Sequence, residues 1–171
     1  MITYNPAFDP YHSIFRMAHI LLKMPEQKPV EIDRVRIWDF YLLYPVQLNH
    51  VSLKVDETEV REARRLLKLK ETAFDYKGDI RKLFEWIRPI QVSALRCLVS
   101  CGILGRDEFE SGRVRVADPG KLQDFIGATG PLSVRESNIL SFLSLCFGGM
   151  PLTGIYGMKY RTKLLESRYD A

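Results

Sequence analysis

Apolar residues that recur every three or four positions constrain the fold of this chain more than any other feature. The pattern covers residues 10–23 and again residues 31–44. In the second segment the apolar residues occupy much of the helix circumference, so this helix is expected to lie at the centre of the fold. Pro25 and Pro45 follow the two segments, and proline cannot continue a helix. The pattern therefore predicts a chain built mainly from helices.

Helical signals continue through the rest of the sequence. Asp56 followed by Glu59 is similar to a capping box, and Ser133 followed by Glu136 is a complete one, so a helix is expected after each pair. Four glycines within residues 148–157 interrupt the pattern before a short basic helix. The predicted helices cover residues 10–23, 31–44, 56–70, 79–88, 89–101 and 133–147, with a last one from about residue 158.

One segment has the alternating pattern of a strand pair instead. Residues 107–116 alternate around a Glu-Ser-Gly turn at residues 110–112, which is typical of a β-hairpin. The hairpin follows two helices in tandem, and this order predicts a winged-helix-like core. The predicted class is mostly α with a small β-hairpin (α+β). The chain would be a single domain of residues 1–171, with the core over about 31–127, an N-terminal strap and helix over 1–30, and a C-terminal helical extension over 131–171.

Basic residues in such a core would be its DNA contacts. The predicted recognition helix, residues 89–101, is mostly apolar with a single basic side chain, which disfavours sequence-specific readout. Two arginines alternate with valines on the predicted wing, and two further cations lie on the charged face of an earlier helix. Both sets of basic residues are equally consistent with an ordinary solvent-exposed surface that binds no DNA. The candidate phosphate contacts are Arg64, Lys68, Arg96, Arg113 and Arg115.

Length and composition limit the class of protein. The 171 residues carry a net charge of +4 and a pI of about 9.0, a mild bias that is compatible with a nucleic acid partner. Three cysteines without CxxC spacing, and no N-terminal apolar signal segment, indicate a reducing cytoplasm. The longest apolar run, residues 139–147, is too short to cross a bilayer. A cytoplasmic protein without membrane segments is therefore expected.

Signals for catalysis are weak. The sequence contains no GxxxxGK[ST] phosphate-binding loop, so ATP hydrolysis is not expected. Asp75 and Lys77 have the D-x-K spacing of some metal nucleases, but a loop turn beside a glycine explains them better. Two other pairs have spacings that permit metal ligation, although cysteines in the core and histidines over the strap explain these better. The pairs are His12 with His19 and Cys97 with Cys101. No catalytic residue, metal or cofactor is predicted.

Two motifs are more particular than a helical core requires. The first is the strap at residues 4–12 (YNPAFDPYH), and the second is residues 32–41 (IDRVRIWDFY). In the strap Asp9 can cap a helix whose first turn begins at Pro10. Its aromatic residues can staple the strap onto the core or form a docking edge for a partner, and both can hold at once. These aromatic residues are Tyr4, Phe8 and Tyr11.

The two motifs together closely resemble the small middle component of ABC-three-component systems, the Lamassu-type defence operons. The resemblance extends over nearly the whole chain. It implies two protein partners, an SMC-like ABC ATPase that hydrolyses ATP and an effector, expected to be a nuclease. It further implies that this chain is a non-catalytic adaptor between them in an anti-phage or anti-plasmid complex, with DNA bound at the level of the complex. The resemblance assigns no role to any single residue.

Two functions from different classes remain open. As an adaptor, the chain should use aromatic residues of its two termini as partner anchors, because aromatic residues dominate interface energetics. As a stand-alone winged-helix DNA-binding regulator, it would rely on the five candidate phosphate contacts instead. Any DNA binding by the isolated chain is expected to be weak, non-specific and steeply dependent on salt. The candidate partner anchors are Phe8, Tyr11, Tyr156, Tyr160 and Tyr169.

Overall fold

The computed structural model describes residues 5–25, 28–52, 58–73 and 75–166. These residues are mostly helical with one small two-stranded antiparallel sheet, as predicted from the sequence. No helix among them is both long and apolar enough to cross a bilayer. In chain order the elements are a 3₁₀ turn (Pro6–Phe8), α1 (Pro10–Leu21), β1 (Val30–Glu31), α2 (Ile32–Leu43), a 3₁₀ helix (Pro45–His50), α3 (Thr58–Leu66), α4 (Ile80–Trp86), α5 (Arg88–Ser100), α6 (Arg106–Glu110), β2 (Arg113–Val114), α7 (Pro119–Thr129), α8 (Val134–Phe147) and α9 (Met158–Thr162).

Several helix starts follow the predicted capping chemistry. The Asp9 carboxylate accepts hydrogen bonds from the backbone N–H groups of Tyr11 and His12, which would otherwise be unpaired at the start of α1. Ser133 and Glu136 form the predicted capping box of α8, each side chain accepting from the backbone of the other residue. The predicted cap at Asp56 lies outside the described residues. Local sequence therefore sets where these helices begin.

The sheet differs from the predicted hairpin in its partner strand. β2 pairs with β1, with Val30 opposite Val114, whereas the predicted first strand of the hairpin forms α6. The pairing places two buried valines opposite each other, and burial of their apolar surface stabilises the sheet. The alternation of residues 107–116 cannot predict this pairing, because the partner strand is distant in sequence. A single antiparallel bridge from Leu104 to Val116 closes the chain around α6. The winged-helix assignment stays a prediction.

The chain divides into two compact units, each with its own core. The first contains the described residues up to Asp39 together with Trp86–Leu132, and in it α1 packs on α5 and α7. The second contains the rest, and in it α3 packs on α8. Aromatic rings fill the second core: Phe40 lies 5.7 Å from Phe84, and Tyr41 lies 5.8 Å from Phe147. Burial raises the pKa of the Tyr41 phenol far above its ordinary value.

A polar network lies within the first unit, and its centre is the buried carboxylate of Asp39. Arg16 on α1 donates from Nε to Asp39 Oδ1 over 2.6 Å and from Nη1 to the Pro6 carbonyl oxygen over 3.2 Å. The side chains of Arg16 and Asp39 are only 4% and 0% exposed. The Arg16 guanidinium therefore joins Pro6 of the strap to Asp39 of the second sequence motif.

Gln91 of α5 completes the network. Its amide nitrogen donates to Asp39 Oδ2 over 2.8 Å and to the Arg36 carbonyl oxygen over 3.1 Å. Its amide oxygen accepts from Arg36 Nε over 3.1 Å, and Arg36 also donates to Asp33 over 2.7 Å. Each charged group of the network thus has a partner that offsets the cost of its burial. The network connects α1, α2 and α5.

Replacing Asp39 with alanine is expected to lower the free energy of unfolding by about 3–5 kcal/mol. The loss follows because Arg16 would keep a buried positive charge without its carboxylate. Urea denaturation of the full chain measures the change.

Arg81→Ala is the matched control, because Arg81 belongs to an ion pair with Glu166 in which both side chains are 54% exposed. Loss of this ion pair should lower the free energy of unfolding by less than about 1 kcal/mol. Equal effects of the two substitutions would show that the Asp39 network does not carry the stability assigned to it.

Candidate docking surfaces

Polar contacts hold the backbone of the described part of the N-terminal strap, residues 5–12. Asn5 accepts from the Ala7 N–H over 3.0 Å, and Arg16 binds the Pro6 carbonyl as described above. The predicted aromatic staple is wrong for the two described residues, because Phe8 is 44% and Tyr11 is 83% exposed. Ala7 is the buried residue of this segment. Two aromatic side chains are therefore presented to solvent on a backbone that other groups hold.

A second set of exposed apolar side chains lies in the second unit, at the end of α8, in the segment leading into α9 and on α9 itself. We refer to it as the C-terminal surface. Each of its members is more than half exposed, and two were predicted as partner anchors. Another predicted anchor, Tyr169, lies outside the described residues. The C-terminal surface consists of Leu145, Ile155, Tyr156 and Tyr160.

Buried Arg161 holds the backbone of the C-terminal surface in place. It donates from Nε to the Tyr156 carbonyl oxygen over 2.8 Å and from Nη1 to the Ser52 carbonyl oxygen over 3.2 Å. The backbone N–H of Met158 donates to the Pro151 carbonyl over 2.9 Å, which closes the loop before α9. Gly157 is required in this loop, since an added Cβ would collide with the Thr153 carbonyl oxygen. The segment that carries the exposed tyrosines is thus fixed by internal hydrogen bonds.

A cavity of about 300 Å³ opens beside these side chains. Leu145 and Tyr156 contribute to its wall, so the cavity and the C-terminal surface are continuous. Gly149 also lines it, and a Cβ at this position would meet no atom within 4 Å. The remaining lining residues are Cys146, Met150, Pro151 and Arg161.

The surrounding chain carries cations and no carboxylates over a long stretch. Between Glu136 and Glu166 the sequence contains no Asp or Glu, and its charged residues are Lys159, Arg161 and Lys163. Lys163 is exposed, whereas Arg161 is buried. The charged residues of this stretch are therefore all cations, and the one that lines the cavity, Arg161, is bound to backbone carbonyls.

Of the predicted phosphate contacts in the second unit, one has a structural role. Arg64 donates from Nη1 to the carbonyl oxygens of Leu48 and Val51, over 2.7 and 3.1 Å, and is only partly exposed. Its charge therefore supports the packing of α3 beside the 3₁₀ helix Pro45–His50. Lys68 is exposed just beyond α3.

The other predicted phosphate contacts lie in the first unit. Arg113 on β2 and Arg96 on α5 are exposed. Arg115 is engaged, since its Nε donates to Glu108 Oε1 over 2.6 Å. The Glu108 backbone N–H and the Arg115 guanidinium hold the pKa of the Glu108 carboxyl below its ordinary value. Part of the cationic charge in this unit is thus offset within the protein.

A polar cavity of about 240 Å³ lies around the D-x-K residues. Asp75 accepts a hydrogen bond from the Thr72 N–H, as expected for a carboxylate that organises a loop turn. His50 is 3.7 Å from Glu71 in the same cavity, and both are about 60% exposed. Across the part of the chain that the structure describes, no His, Cys, Asp and Glu side chains form a group of three that could hold a metal ion.

The predicted metal-ligand pairs have different environments. His19 is buried, with Nε2 3.1 Å from the Gly130 carbonyl oxygen, while His12 is exposed. Cys97 and Cys101 were expected in the core, but both are exposed, Cys97 on α5 and Cys101 at the C-cap of that helix. Partial burial and the neighbouring Cys101 raise the pKa of the Cys97 thiol, which lowers its thiolate fraction. From Ser93 onward the exposed residues of α5 are Ser93, Arg96, Cys97 and Ser100.

Several residues of these sites were not predicted from the sequence. Arg161 was assigned only to a basic helix, and no local signal marks it as buried. Gln91 falls within the predicted recognition helix, and nothing in the sequence pattern indicates that it lies in the Asp39 network. Leu145 and Ile155 were also missed, because an exposed apolar residue has the same sequence signature as a buried one.

Comparison with known proteins gives one family match. The model of the family described as ABC-three component (ABC-3C) system Middle Component 5 matches residues 2–170. No curated protein and no solved structure matches the chain.

Gly157→Ala is expected to lower the free energy of unfolding by about 1–3 kcal/mol, because the added methyl group must displace the Thr153 carbonyl. Chemical denaturation measures this change. Gly149→Ala is the control, since its Cβ meets open space and the substitution should leave stability within about 0.5 kcal/mol. A Gly157→Ala protein as stable as the control would mean that the loop is not tightly held.

Proposed function

Because the chain belongs to the Middle Component 5 family of ABC-three-component systems, we propose that it is a non-catalytic adaptor in a cytoplasmic defence complex of the Lamassu type. It links an SMC-like ABC ATPase to an effector that acts on invading phage or plasmid DNA. A middle component works with the other components of its system, so it needs surfaces for protein partners. The observation that carries this proposal is the presence of exposed aromatic side chains on backbone that buried arginines hold in place.

This arrangement suits binding for an energetic reason. A flexible terminus loses conformational entropy when it docks, and that loss reduces affinity. Here the strap carrying Phe8 and the loop carrying Tyr156 are already held by Arg16 and Arg161. Aromatic side chains add large contact areas with few rotatable bonds. Such pre-ordered aromatic residues favour protein partners over a role in packing alone.

In this proposal the partner proteins carry out the catalytic reactions. The chain lacks a phosphate-binding loop, so ATP hydrolysis belongs to the ATPase and DNA damage to the effector. Exposed Lys68, Arg96 and Arg113 can add weak phosphate contacts once the complex is on DNA. The stand-alone regulator is disfavoured, because Arg64 and Arg115 already bind groups of the protein itself.

The isolated chain is expected to show no ATPase or nuclease turnover above background. Phosphate release and plasmid cleavage assays with added Mg²⁺ or Mn²⁺ test this, and the co-purified complex serves as the active control. Cleavage by the isolated chain that disappears in an Asp75→Ala variant would contradict the adaptor function and assign catalysis to the D-x-K residues.

Alanine substitution of a true anchor should weaken partner capture by about 2 kcal/mol, or roughly 30-fold in Kd. The variants are Phe8→Ala, Tyr11→Ala, Tyr156→Ala and Tyr160→Ala, each tested by pull-down of the co-expressed ATPase and effector. At least one should lose a partner while its Tm stays at the wild-type value, because these side chains are exposed.

Trp86→Ala is the matched control for exposed aromatic area, since Trp86 is 60% exposed and belongs to neither surface. It should retain both partners. Retention of both partners by all four variants would show that docking uses a different surface.

A further inference from the structure

The two thiols at the C-terminal end of α5 do not belong to the core. Cys97 lies on the helix and Cys101 at its C-cap, and both side chains are exposed. Cysteine is among the residue types that are most often buried, and packing in the core was the explanation that their spacing favoured. Exposure removes that explanation. The other interpretation of the spacing is that the two sulfur atoms act together as ligands.

The geometry of the helix brings the two thiols into contact. Residues four apart lie on one face of a helix, with Cβ atoms about 5–6 Å apart. Desolvation raises the pKa of the Cys97 thiol, and the charge of Cys101 and a hydrogen bond with it raise this pKa further. The two thiols therefore interact directly.

The same geometry favours a bridging metal ion over a disulfide. A disulfide needs Cβ atoms about 3.5–4.5 Å apart, so the helix would have to distort before the two sulfur atoms could bond. A metal ion between two sulfur atoms accepts the wider spacing, because each metal–sulfur bond adds about 2.3 Å in the case of zinc. The undistorted helix thus presents a ligand pair.

The number of ligands indicates the class of metal ion. Thiolates are soft ligands, which select Cu(I) and zinc. Structural zinc takes four protein ligands, and within the described ranges no His, Cys, Asp and Glu side chains form a group of three that could hold a metal. Cu(I) has a filled d shell and forms stable linear complexes with two thiolates. A pair of thiols without a third ligand therefore fits Cu(I) better than zinc.

Positive charge near the pair suits a thiolate complex. Cu(I) with two thiolates carries one negative charge, and the C-terminal end of a helix by itself disfavours an anion. Arg96, next to Cys97 in the chain, is exposed. Lys121 of α7 places its Nζ 3.0 Å from the position of a Cβ on Gly102, the residue that follows Cys101. These two cations offset both unfavourable charges.

We propose that Cys97 and Cys101 of one chain bind a single Cu(I) ion between their two thiolates. Binding forms two copper–sulfur bonds and releases the two thiol protons, and neither copper nor sulfur changes its oxidation state. The ion reaches the site from solvent because both side chains are exposed. This site is separate from the adaptor function, which it neither requires nor supports.

Competition for Cu(I) is the first test. The reduced full chain is titrated without oxygen against bathocuproine disulfonate, whose coloured complex reports the Cu(I) that the protein leaves unbound. The wild-type chain should take up one ion. Cys97→Ser and Cys101→Ser should each weaken binding at least about 100-fold, because a direct ligand contributes more than an outer-shell partner. Cys146→Ser should bind as the wild type does, since Cys146 is buried on α8.

Moving the pair by one helical turn is the second test. Ser93 is exposed and lies four residues before Cys97, so Ser93→Cys in the Cys101→Ser protein rebuilds the spacing one turn earlier. This double variant should recover most of the lost affinity. Ala128→Cys in the Cys101→Ser protein is the control, because it restores the number of thiols but places the new one on α7. It should not recover binding.

X-ray absorption of the copper-loaded chain measures the coordination directly. Two sulfur neighbours at equal distance, with no nitrogen or oxygen, are expected. No uptake by the wild-type chain, unchanged uptake by both serine variants, or a third ligand in the spectrum would overturn the proposal. A zinc-dependent dimer that uses both cysteines of each copy would also overturn it, because four thiolates would then select zinc.

The serine variants also keep the two proposals separate. Serine is close in size to cysteine and replaces an exposed side chain, so the Tm of both variants should stay at the wild-type value. Capture of the ATPase and effector by these variants should likewise be unchanged. Loss of a partner together with Cu(I) would contradict the separation of this site from docking.

Discussion

The buried carboxylate of Asp39 is the group on which the first unit depends. It accepts from Arg16 on α1 and from Gln91 on α5, and so joins three helices through one side chain. A buried charge of this kind is tolerated only when each lone pair and each donor finds a partner. The N-terminal strap is connected to the same network, because its Pro6 carbonyl accepts a hydrogen bond from Arg16. Arg16, which lies outside both sequence motifs, therefore connects the Pro6 carbonyl of the first motif to the Asp39 carboxylate of the second.

Arginines used as backbone clamps recur through the molecule. Arg16 binds the Pro6 carbonyl, Arg64 binds the carbonyls of Leu48 and Val51, and Arg161 binds those of Tyr156 and Ser52. Guanidinium suits this task because it has five donors in a fixed plane and stays charged. Arginines that bind backbone carbonyls in this way are not available to contact phosphate groups. The net charge of +4 consequently overstates the surface available to DNA.

The same clamps explain why exposed aromatic residues coincide with ordered backbone. In the strap and in the C-terminal surface, polar groups hold the chain while aromatic side chains point outward. A docking site built this way keeps its affinity, because little entropy is lost when the partner binds. The adaptor function that we propose requires surfaces of this kind.

Local sequence determined the helices other than α6, where a strand was predicted, and α7, which was not predicted. It also determined the caps at Asp9 and Ser133 and the stop at Pro45, since each depends on contacts within a few residues. The motifs at residues 4–12 and 32–41 also sufficed to indicate the family. Tertiary structure alone decided that β2 pairs with β1, that Gln91 is buried and that Cys97 is exposed. Those outcomes depend on partners more than fifty residues away or on which helix face is covered. Periodicity reports that a face is apolar, but only packing determines what covers it.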